Sequence, residues 1–289
     1  MRVARQGMSG ISTNSWIDLK LDAETGIETI RAHFEGHAYD PHWHDSYLVG
    51  FTEQGVQQFN CRKTLHNSLV GQAFLLEPGE IHDGRAPTPG GFTYSTFYLQ
   101  PHWLESQLRG LFEEAPNDCL PRFTETLADE PGLVSHIANA FQAVHQDELR
   151  IVRHAALDGL LEMLSRRVHW RKRLETSAPL PTVAIRARDY LHAHLDHDIG
   201  LDELAAAAGV DRFRLSRAFK ASFGLAPHAY LVQLRLSVAR KLLRQGLAPA
   251  SVAMELGFAD QSHLGRWFRR AYGMSPAAYR KRCSNLPDR

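Results

Sequence analysis

Two histidines set one residue apart could do chemistry together. His42 and His44 lie in the run Pro41-His42-Trp43-His44, and residues i and i+2 of a β-strand project from the same face. Neutral imidazole nitrogens ligate divalent metal ions and also hydrogen-bond to polar molecules. If the run is a strand, the pair could begin a metal site or a small-molecule pocket. The alternative is that the two histidines are structural or surface residues without a ligand role.

Two arginines, Arg217 and Arg266, occupy equivalent positions of an internal repeat near the carboxyl end. A guanidinium can donate two hydrogen bonds to guanine. The repeat holds at an offset of 49 residues over positions 215–230, and upstream the offset is 48. Seven identities at one offset within sixteen positions indicate a duplicated structural unit. The identical pairs are Leu215 and Leu264, Arg217 and Arg266, Phe219 and Phe268, Gly224 and Gly273, Pro227 and Pro276, Ala229 and Ala278, Tyr230 and Tyr279, Ala205 and Ala253, and Gly209 and Gly257.

Each copy of the repeat predicts a helix, a tight turn and a second helix. In the first copy, Asp202 and Glu203 favour a helix start, Gly209 supplies the turn and Asp211 can cap the second helix. The i, i+3, i+4 spacing of apolar residues gives each second helix a buried face. The predicted buried residues are Leu215, Ala218, Phe219 and Phe223 in one copy and Leu264, Trp267, Phe268 and Tyr272 in the other.

The opposite faces of the two second helices are polar and basic. This arrangement predicts two helix-turn-helix units, at about residues 201–222 and 249–272, able to enter major-groove segments about 34 Å apart. A helical bundle with a solvated basic face is the alternative. The segment 231–244 is the expected spacer, with Leu231, Leu234, Val238 and Leu242 in the core and Arg235, Arg240, Lys241 and Arg244 elsewhere. The outward residues are Arg212, Phe213, Ser216, Arg217 and Lys220, and Gln261, Ser262, Gly265, Arg266 and Arg269.

The duplicated region resembles the AraC/XylS family of transcription regulators over about residues 183–281. The resemblance implies that the second helix of each unit reads DNA bases, and that the regulator is a homodimeric activator that contacts RNA polymerase. The landmarks are Leu215-Ser-Arg-Ala-Phe-Lys220, Gly224 with Pro227 and Tyr230, Gly257-Phe258, Arg266-Trp-Phe-Arg269, Gly273-Met-Ser-Pro276 and Tyr279-Arg280. The implied DNA-binding residues are Arg212, Phe213, Ser216, Arg217, Lys220, Gln261, Ser262, Arg266 and Arg269.

Short apolar runs separated by turn residues predict several strands at about residues 16–100, and hence a small β-barrel or jelly roll. The pattern His42, His44, Pro78-Gly79 and His82 resembles the cupin barrel, and that resemblance implies that His82 joins the other two histidines. The glutamate of enzymatic cupins is replaced by Leu48 or Val49, and Ala86 stands at a later ligand position. An effector pocket, structural histidines and a metal or catalytic site all remain open. The predicted effector-binding residues are His42, His44, His82, Tyr47 and Arg85; no catalytic residue, metal or cofactor is predicted.

Residues about 101–173 have few glycines and a helical apolar stripe, Leu157, Leu160, Leu161 and Leu164. Two prolines within residues 175–181 predict a linker. The expected domains are therefore 1–174, with a cupin-like barrel followed by helices, and 182–289, which is DNA-binding. The resemblance to the AraC/XylS family implies that the helices after the barrel form the dimerisation segment, although such a stripe more often packs inside its own domain.

Composition and charge restrict the class of protein. Residues 181–289 hold 17 Lys and Arg against 9 Asp and Glu, whereas the remaining residues carry a net charge of −7. The basic part is expected to bind a polyanion. Three scattered cysteines, no signal-like start and no long apolar run are typical of a cytoplasmic protein without membrane contact. The sequence thus predicts an α+β chain that is an effector-responsive, sequence-specific transcription regulator and not an enzyme. The alternative is a metal-dependent cupin enzyme fused to a DNA-binding module.

Overall fold

The computed structural model describes residues 14–111, 119–172 and 181–283. They form two compact units, one drawn mainly from the first 169 residues and the other mainly from residues 170–289. The predicted linker, residues 175–181, lies outside the described residues except for Pro181. Among the helices that these ranges contain, none is long and apolar enough to cross a bilayer.

The N-terminal unit is built on antiparallel sheets. A six-stranded sheet has the order β1-β2-β9-β4-β7-β11, a four-stranded sheet has the order β3-β8-β5-β6, and β10 pairs with β12. The strands are β1 (Trp16–Leu21), β2 (Glu28–Phe34), β3 (His37–His42), β4 (Tyr47–Gly55), β5 (Gln57–Cys61), β6 (Thr64–Ser68), β7 (Ala73–Leu76), β8 (His82–Arg85), β9 (Phe92–Leu99), β10 (Cys119–Phe123), β11 (Leu127–Ala128) and β12 (Val168–Lys172).

Aromatic side chains fill the space between the two larger sheets. The ring of Phe34 on β2 lies 5.9 Å from that of Tyr39 on β3, edge to face. Phe59 on β5 and Phe74 on β7 make a second such contact, at 6.5 Å. Edge-to-face pairs at these distances add to the free energy gained by burying the rings. The sequence-predicted sheet-rich N-terminal domain is confirmed, and its two-sheet core is compatible with a jelly roll.

Three helices complete this unit: α1 (Pro101–Leu111), α2 (Pro131–His145) and α3 (Arg150–Ser165). The leucine stripe is on α3, and Leu157, Leu160, Leu161 and Leu164 are all buried within the unit. Burial of these side chains supports packing inside the domain. The stripe could serve as a dimer surface only if these leucines were first uncovered, which would expose their apolar area to water.

The expectation of helices throughout residues 101–173 is wrong for three segments. Strands β10, β11 and β12 lie there. In β10 the buried residues Cys119, Pro121 and Phe123 alternate with less buried ones, which is a strand period. Strand β11 pairs with β7, so it extends the large sheet. Because these strands are short, sheet pairing stabilises them more than any local pattern does.

From residue 182 onward, the regular secondary structure of the described part of the C-terminal unit is helical. Its helices are α4 (Thr182–Ala193), α5 (Leu201–Ala208), α6 (Arg212–Phe223), α7 (Pro227–Arg244), α8 (Pro249–Glu255), α9 (Gln261–Tyr272) and α10 (Pro276–Cys283). The pairs α5–α6 and α8–α9 are helix-turn-helix units separated by α7. The predicted α+β class with a helical C-terminal region is therefore confirmed.

Aspartates begin the second helix of both units. Oδ1 of Asp211 accepts hydrogen bonds from the backbone N–H groups of Phe213 and Arg214, both at 2.9 Å. Oδ1 of Asp260 accepts one from the N–H of His263, at 2.6 Å. The predicted cap at Asp211 is confirmed. Sequence reasoning did not name Asp260, although it stands directly before the second helix.

Replacing Asp260 with alanine is expected to lower the free energy of unfolding by about 0.5–2 kcal/mol, because the N–H of His263 loses its acceptor. Chemical denaturation measures the change. The matched control is Asp260→Asn, which keeps a side-chain oxygen and is expected to stay near wild type. Equal losses in both variants would contradict capping as the cause.

The cap at Asp211 has a predictable pH dependence. The backbone N–H of Arg214, followed by that of Phe213, holds the pKa of the Asp211 carboxyl below its ordinary value. A pKa that is lower in the folded state gives stability that is complete above the unfolded pKa and is lost as the pH falls through the folded pKa.

Candidate functional site

Helices α6 and α9 present the side chains predicted to contact DNA. Phe213 stands out, because 67% of this large apolar residue is exposed. Ser216 is partly exposed on the same helix. The exposed members of the predicted set are Arg212, Phe213, Arg217 and Lys220 on α6 and Gln261, Ser262, Arg266 and Arg269 on α9.

Buried apolar residues fix the inner faces of the two helices. Leu215 and Phe219 of α6 and Leu264 and Phe268 of α9 have no measurable exposure. In an α-helix, residues that are two positions apart project from different sides of the axis. Burial of Leu215 and Phe219 therefore places Arg217 on the outer face of α6. The same reasoning places Arg266, which stands between Leu264 and Phe268 in the sequence, on the outer face of α9. The repeat thus gives both arginines the same structural position.

A cleft of about 350 Å³ lies beside the exposed face of α9. Arg266 and Arg269 bring two guanidinium groups to its wall, and Gln261 and Ser262 add neutral hydrogen-bonding groups. Such a wall can bind phosphate oxygens and can donate to base edges. The other lining residues are Pro249, Gly265, Ser275, Pro276 and Ala277.

On α6, two of the predicted side chains interact with each other. The guanidinium carbon of Arg212 lies 5.0 Å from the centre of the Phe213 ring. Arg212 also lies 4.0 Å from a carboxylate oxygen of Asp202, and both side chains of that pair are largely exposed. Exposed ion pairs of this kind contribute little stability. Arg212 can therefore exchange Asp202 for a phosphate at small cost.

The structure corrects two expected outward positions. Gly265 is buried in α9, because it has no side chain of its own and neighbouring residues cover it. Arg235 is buried in α7, because its guanidinium bonds to backbone carbonyls of neighbouring segments. A basic residue usually indicates a solvated face, so sequence reasoning did not assign Arg235 to the core, although its spacing from Leu231 and Val238 is that of one helix face.

The three predicted histidines are all buried. His42 ends β3, His44 follows it by two residues, and His82 begins β8. Nε2 of His42 and Nε2 of His44 are 3.0 Å apart, so one ring donates a hydrogen bond and the other accepts it. Neutral imidazoles can bind a polar organic group or a divalent metal ion.

The tautomer of His82 follows from its hydrogen bond. Its Nδ1 lies 2.9 Å from the carbonyl oxygen of Glu80. A carbonyl only accepts, so Nδ1 carries the hydrogen and Nε2 keeps its lone pair. Burial lowers the pKa of His82, which favours this neutral form.

Sequence reasoning missed a buried amide beside the histidine region, Gln57 on β5. Nε2 of Gln57 donates to the hydroxyl of Tyr39 at 3.0 Å, and the Tyr39 ring packs edge-on against His82 at 6.2 Å. Oε1 of Gln57 is buried and accepts no hydrogen bond from the described residues. The alternation of Gln57 with the apolar residues Phe59 and Cys61 was the signal that this side chain points inward.

The remaining two effector predictions have different outcomes. Tyr47 is buried, and its ring packs against Phe123 at 5.6 Å. Arg85 is exposed and donates to Oε1 of Gln58 at 2.6 Å. On β8, His82 and Gly84 point inward, so period-two alternation turns Arg85 outward. The expectation that Arg85 lines the pocket is wrong for that reason.

Comparison with known families matches both units. Residues 24–177 match the model of the AraC-like ligand binding domain. Residues 204–282 match a helix-turn-helix domain. The first match includes His42, His44 and His82, and the second includes both arginine-bearing helices.

Individual relatives match over nearly the whole chain. The uncharacterized HTH-type transcriptional regulator YbfI of Bacillus subtilis is 26% identical over 250 residues, which cover 85% of this chain and 88% of that protein. The arabinose operon regulatory protein of Escherichia coli is 26% identical over 297 residues, covering 96% and 89%. Among solved structures, fatty-acid-bound ToxT of Vibrio cholerae aligns over 99% of this chain and 100% of its own, with a TM-score of 0.51 and 12% identity. The likeness to ToxT shows a shared fold.

Proposed function

Because this chain belongs to the AraC-like family of transcription regulators, with a ligand-binding domain and a helix-turn-helix domain, we propose that it activates transcription from a specific DNA sequence in response to a small-molecule effector. One observation carries the DNA-binding half of the proposal. The repeat-equivalent residues Arg217 and Arg266 are both exposed, each on a helix whose opposite face is buried.

The residues on these faces have the chemistry for reading a duplex. Arg217 and Arg266 can each fork onto guanine in the major groove, and Gln261 can pair with adenine. The exposed ring of Phe213 can pack on a thymine methyl group. Arg212, Lys220 and Arg269 can neutralise phosphates, which gives affinity without sequence preference.

Selection of bound duplexes from a random DNA pool tests this function. We expect a two-part consensus whose halves lie about one helical turn apart, one for α6 and one for α9. The selection is carried out at fixed salt, since phosphate contacts make affinity salt-dependent. Recovery of unenriched sequences with a single common affinity would contradict sequence-specific regulation and would indicate a non-specific DNA-binding protein.

The effector half of the proposal depends on the interior of the N-terminal unit. Oε1 of Gln57 is a buried acceptor there that accepts no hydrogen bond from the described residues. It suits a ligand that carries hydroxyl or amine hydrogens, since binding would satisfy this buried group. A sugar-like or other small polar organic effector carries such hydrogens. Homodimerisation, contact with RNA polymerase and a cytoplasmic location are further parts of the proposal.

Replacing His82 with alanine is expected to weaken effector binding by about 1–3 kcal/mol, because a hydrogen-bonding side chain of the proposed pocket is lost. Operator affinity without effector should not change. A promoter-reporter assay over a panel of monosaccharides and small polar metabolites measures the response. The matched control is His37→Ala, since His37 lies exposed on β3. A normal response in the His82 variant would contradict the pocket.

The enzymatic alternative makes a different prediction about metal content. A metal-dependent cupin enzyme requires an ion at the three histidines. Elemental analysis of the purified protein should find no stoichiometric iron, manganese or zinc if the histidines serve an organic effector. Stoichiometric metal that is lost on His42→Ala would favour the catalytic alternative.

A further inference from the structure

The charge of Arg235, in the middle of α7, is buried in the C-terminal unit. Only 8% of the residue is exposed. Its Nε donates to the carbonyl oxygen of Leu195, Nη1 to that of Gly257 and Nη2 to that of His197, each at 2.7 Å. All three acceptors are backbone carbonyl groups.

The three acceptors belong to different halves of the duplicated region. Leu195 and His197 lie between α4 and α5, just before the first helix-turn-helix unit. Gly257 lies in the turn between α8 and α9, inside the second unit. Arg235 therefore links the entrance of the first unit to the turn of the second.

The first of these segments is rigidly joined to the first recognition-type helix. Leu191 of α4, Leu204 of α5, and Leu215 and Phe219 of α6 share one buried cluster, to which Leu231 of α7 also belongs. Close packing of this kind transmits displacement instead of absorbing it. A change in the position of residues 195–197 therefore changes the position of α6.

The turn at Gly257 is also pressed against the first unit's entrance. Gly257 has a φ of +67°, and a Cβ atom there would lie 2.2 Å from the carbonyl oxygen of Asp196. The guanidinium of Arg235 also lies 5.8 Å from the centre of the Phe258 ring. Backbone contact and the arginine bridge thus hold the same two segments together.

Only an arginine meets the geometry of this bridge. A guanidinium directs its N–H groups in a planar fork and stays charged when buried, whereas a lysine ammonium is a single point of charge. Burial lowers the pKa of Arg235, and Asp198 and Asp196 raise it in part. Charge-assisted hydrogen bonds to three carbonyls compensate the loss of water around the cation.

We propose that Arg235 is a positioning residue that sets the spacing between the two recognition helices, and through it the number of base pairs between the two halves of the DNA site. This inference rests on the proposed function. It assigns to Arg235 no contact with DNA, since its guanidinium is buried inside the unit. The partner is a duplex whose half-elements are separated by a fixed length.

The test compares full-length wild type with Arg235→Lys, which keeps the charge and removes the fork. The probe is the duplex that the wild type selects from random DNA, together with versions that gain or lose one or two base pairs between the halves. One inserted base pair shifts a half-element by about 3.4 Å along the axis and by about 34° around it. Each protein is also titrated with single half-elements.

We expect the wild type to lose about tenfold or more in affinity for each one-base-pair change, the size of a mismatch penalty. Arg235→Lys should bind the parent duplex about tenfold more weakly and should discriminate among spacings by less than about threefold. Its affinity for a single half-element should stay within about twofold of wild type, because each unit keeps its own exposed face. Lys241→Met, which removes an exposed cation from the same helix, should leave the spacing preference unchanged.

Wild-type spacing preference in a folded Arg235→Lys variant would overturn the proposal. So would a wild type that tolerates every spacing, a result that needs no variant and therefore holds even if Arg235→Lys fails to fold. Failure to select any sequence would instead refute the proposed function itself. The two failures are thus distinguishable.

Discussion

Alanine at Phe219 is expected to lower the free energy of unfolding of the C-terminal unit by about 3–5 kcal/mol. The ring is fully buried and packs against Phe223 at 4.7 Å and Tyr230 at 5.2 Å. Removing it leaves a cavity behind α6 in addition to the lost burial of apolar area. Native-state hydrogen exchange of the amides of α6 measures the change and reports on this unit alone.

The same substitution at Phe213 is the matched control. Phe213 lies on the same helix but on its exposed face, so Phe213→Ala should change stability by less than about 0.5 kcal/mol. It should nevertheless weaken binding to sites with a thymine at the contacted position. Equal destabilisation by the two substitutions would contradict the assignment of the buried and the DNA-facing sides of α6.

Alanine at Arg217 or at Arg266 is expected to reduce specific DNA binding by about 1–3 kcal/mol each and to relax the preference for one base. Each variant loses a guanidinium that can fork onto a guanine. Because the two residues lie on different helices with no shared partner, their effects should add in the double variant. Titration of the selected duplex, and of duplexes changed at single base pairs, measures both affinity and preference.

Arg186→Ala supplies the control for loss of one positive charge. Arg186 is exposed on α4, outside the two recognition-type helices. The Arg186→Ala variant should bind all duplexes more weakly by the same factor, or with unchanged affinity, and should keep the base preference of the wild type. Unchanged footprints and affinities in both Arg217→Ala and Arg266→Ala would show that α6 and α9 are not the reading helices.

The helix-turn-helix units were predictable from sequence because their signals are local. The spacing of Leu215 and Phe219 gives the buried face of α6, and Asp211 precedes the helix that it caps. These interactions join residues at most a few positions apart, so their pattern is written along the chain. Duplication then repeats the pattern in α9, which made the two arginine-bearing faces recognisable.

The N-terminal site was predictable only in part. His42, His44 and His82 are all buried, as residues of an interior pocket should be. Sequence reasoning missed the inward Gln57 and wrongly assigned the outward Arg85 to the pocket. A shift of one residue in strand register reverses the face of every side chain. The pairing of strands fixes that register, and the partner residues are distant in sequence.

The sequence by itself determined the two-unit organisation of the fold, the duplicated helix pairs and the residue types on their exposed faces. Only the tertiary structure decided how the two helix pairs are held together. The acceptors of Arg235 lie 22, 38 and 40 residues from it along the chain. They are also backbone carbonyls, which every residue carries. No choice of side chain marks them, and folding alone brings them within reach of the buried guanidinium.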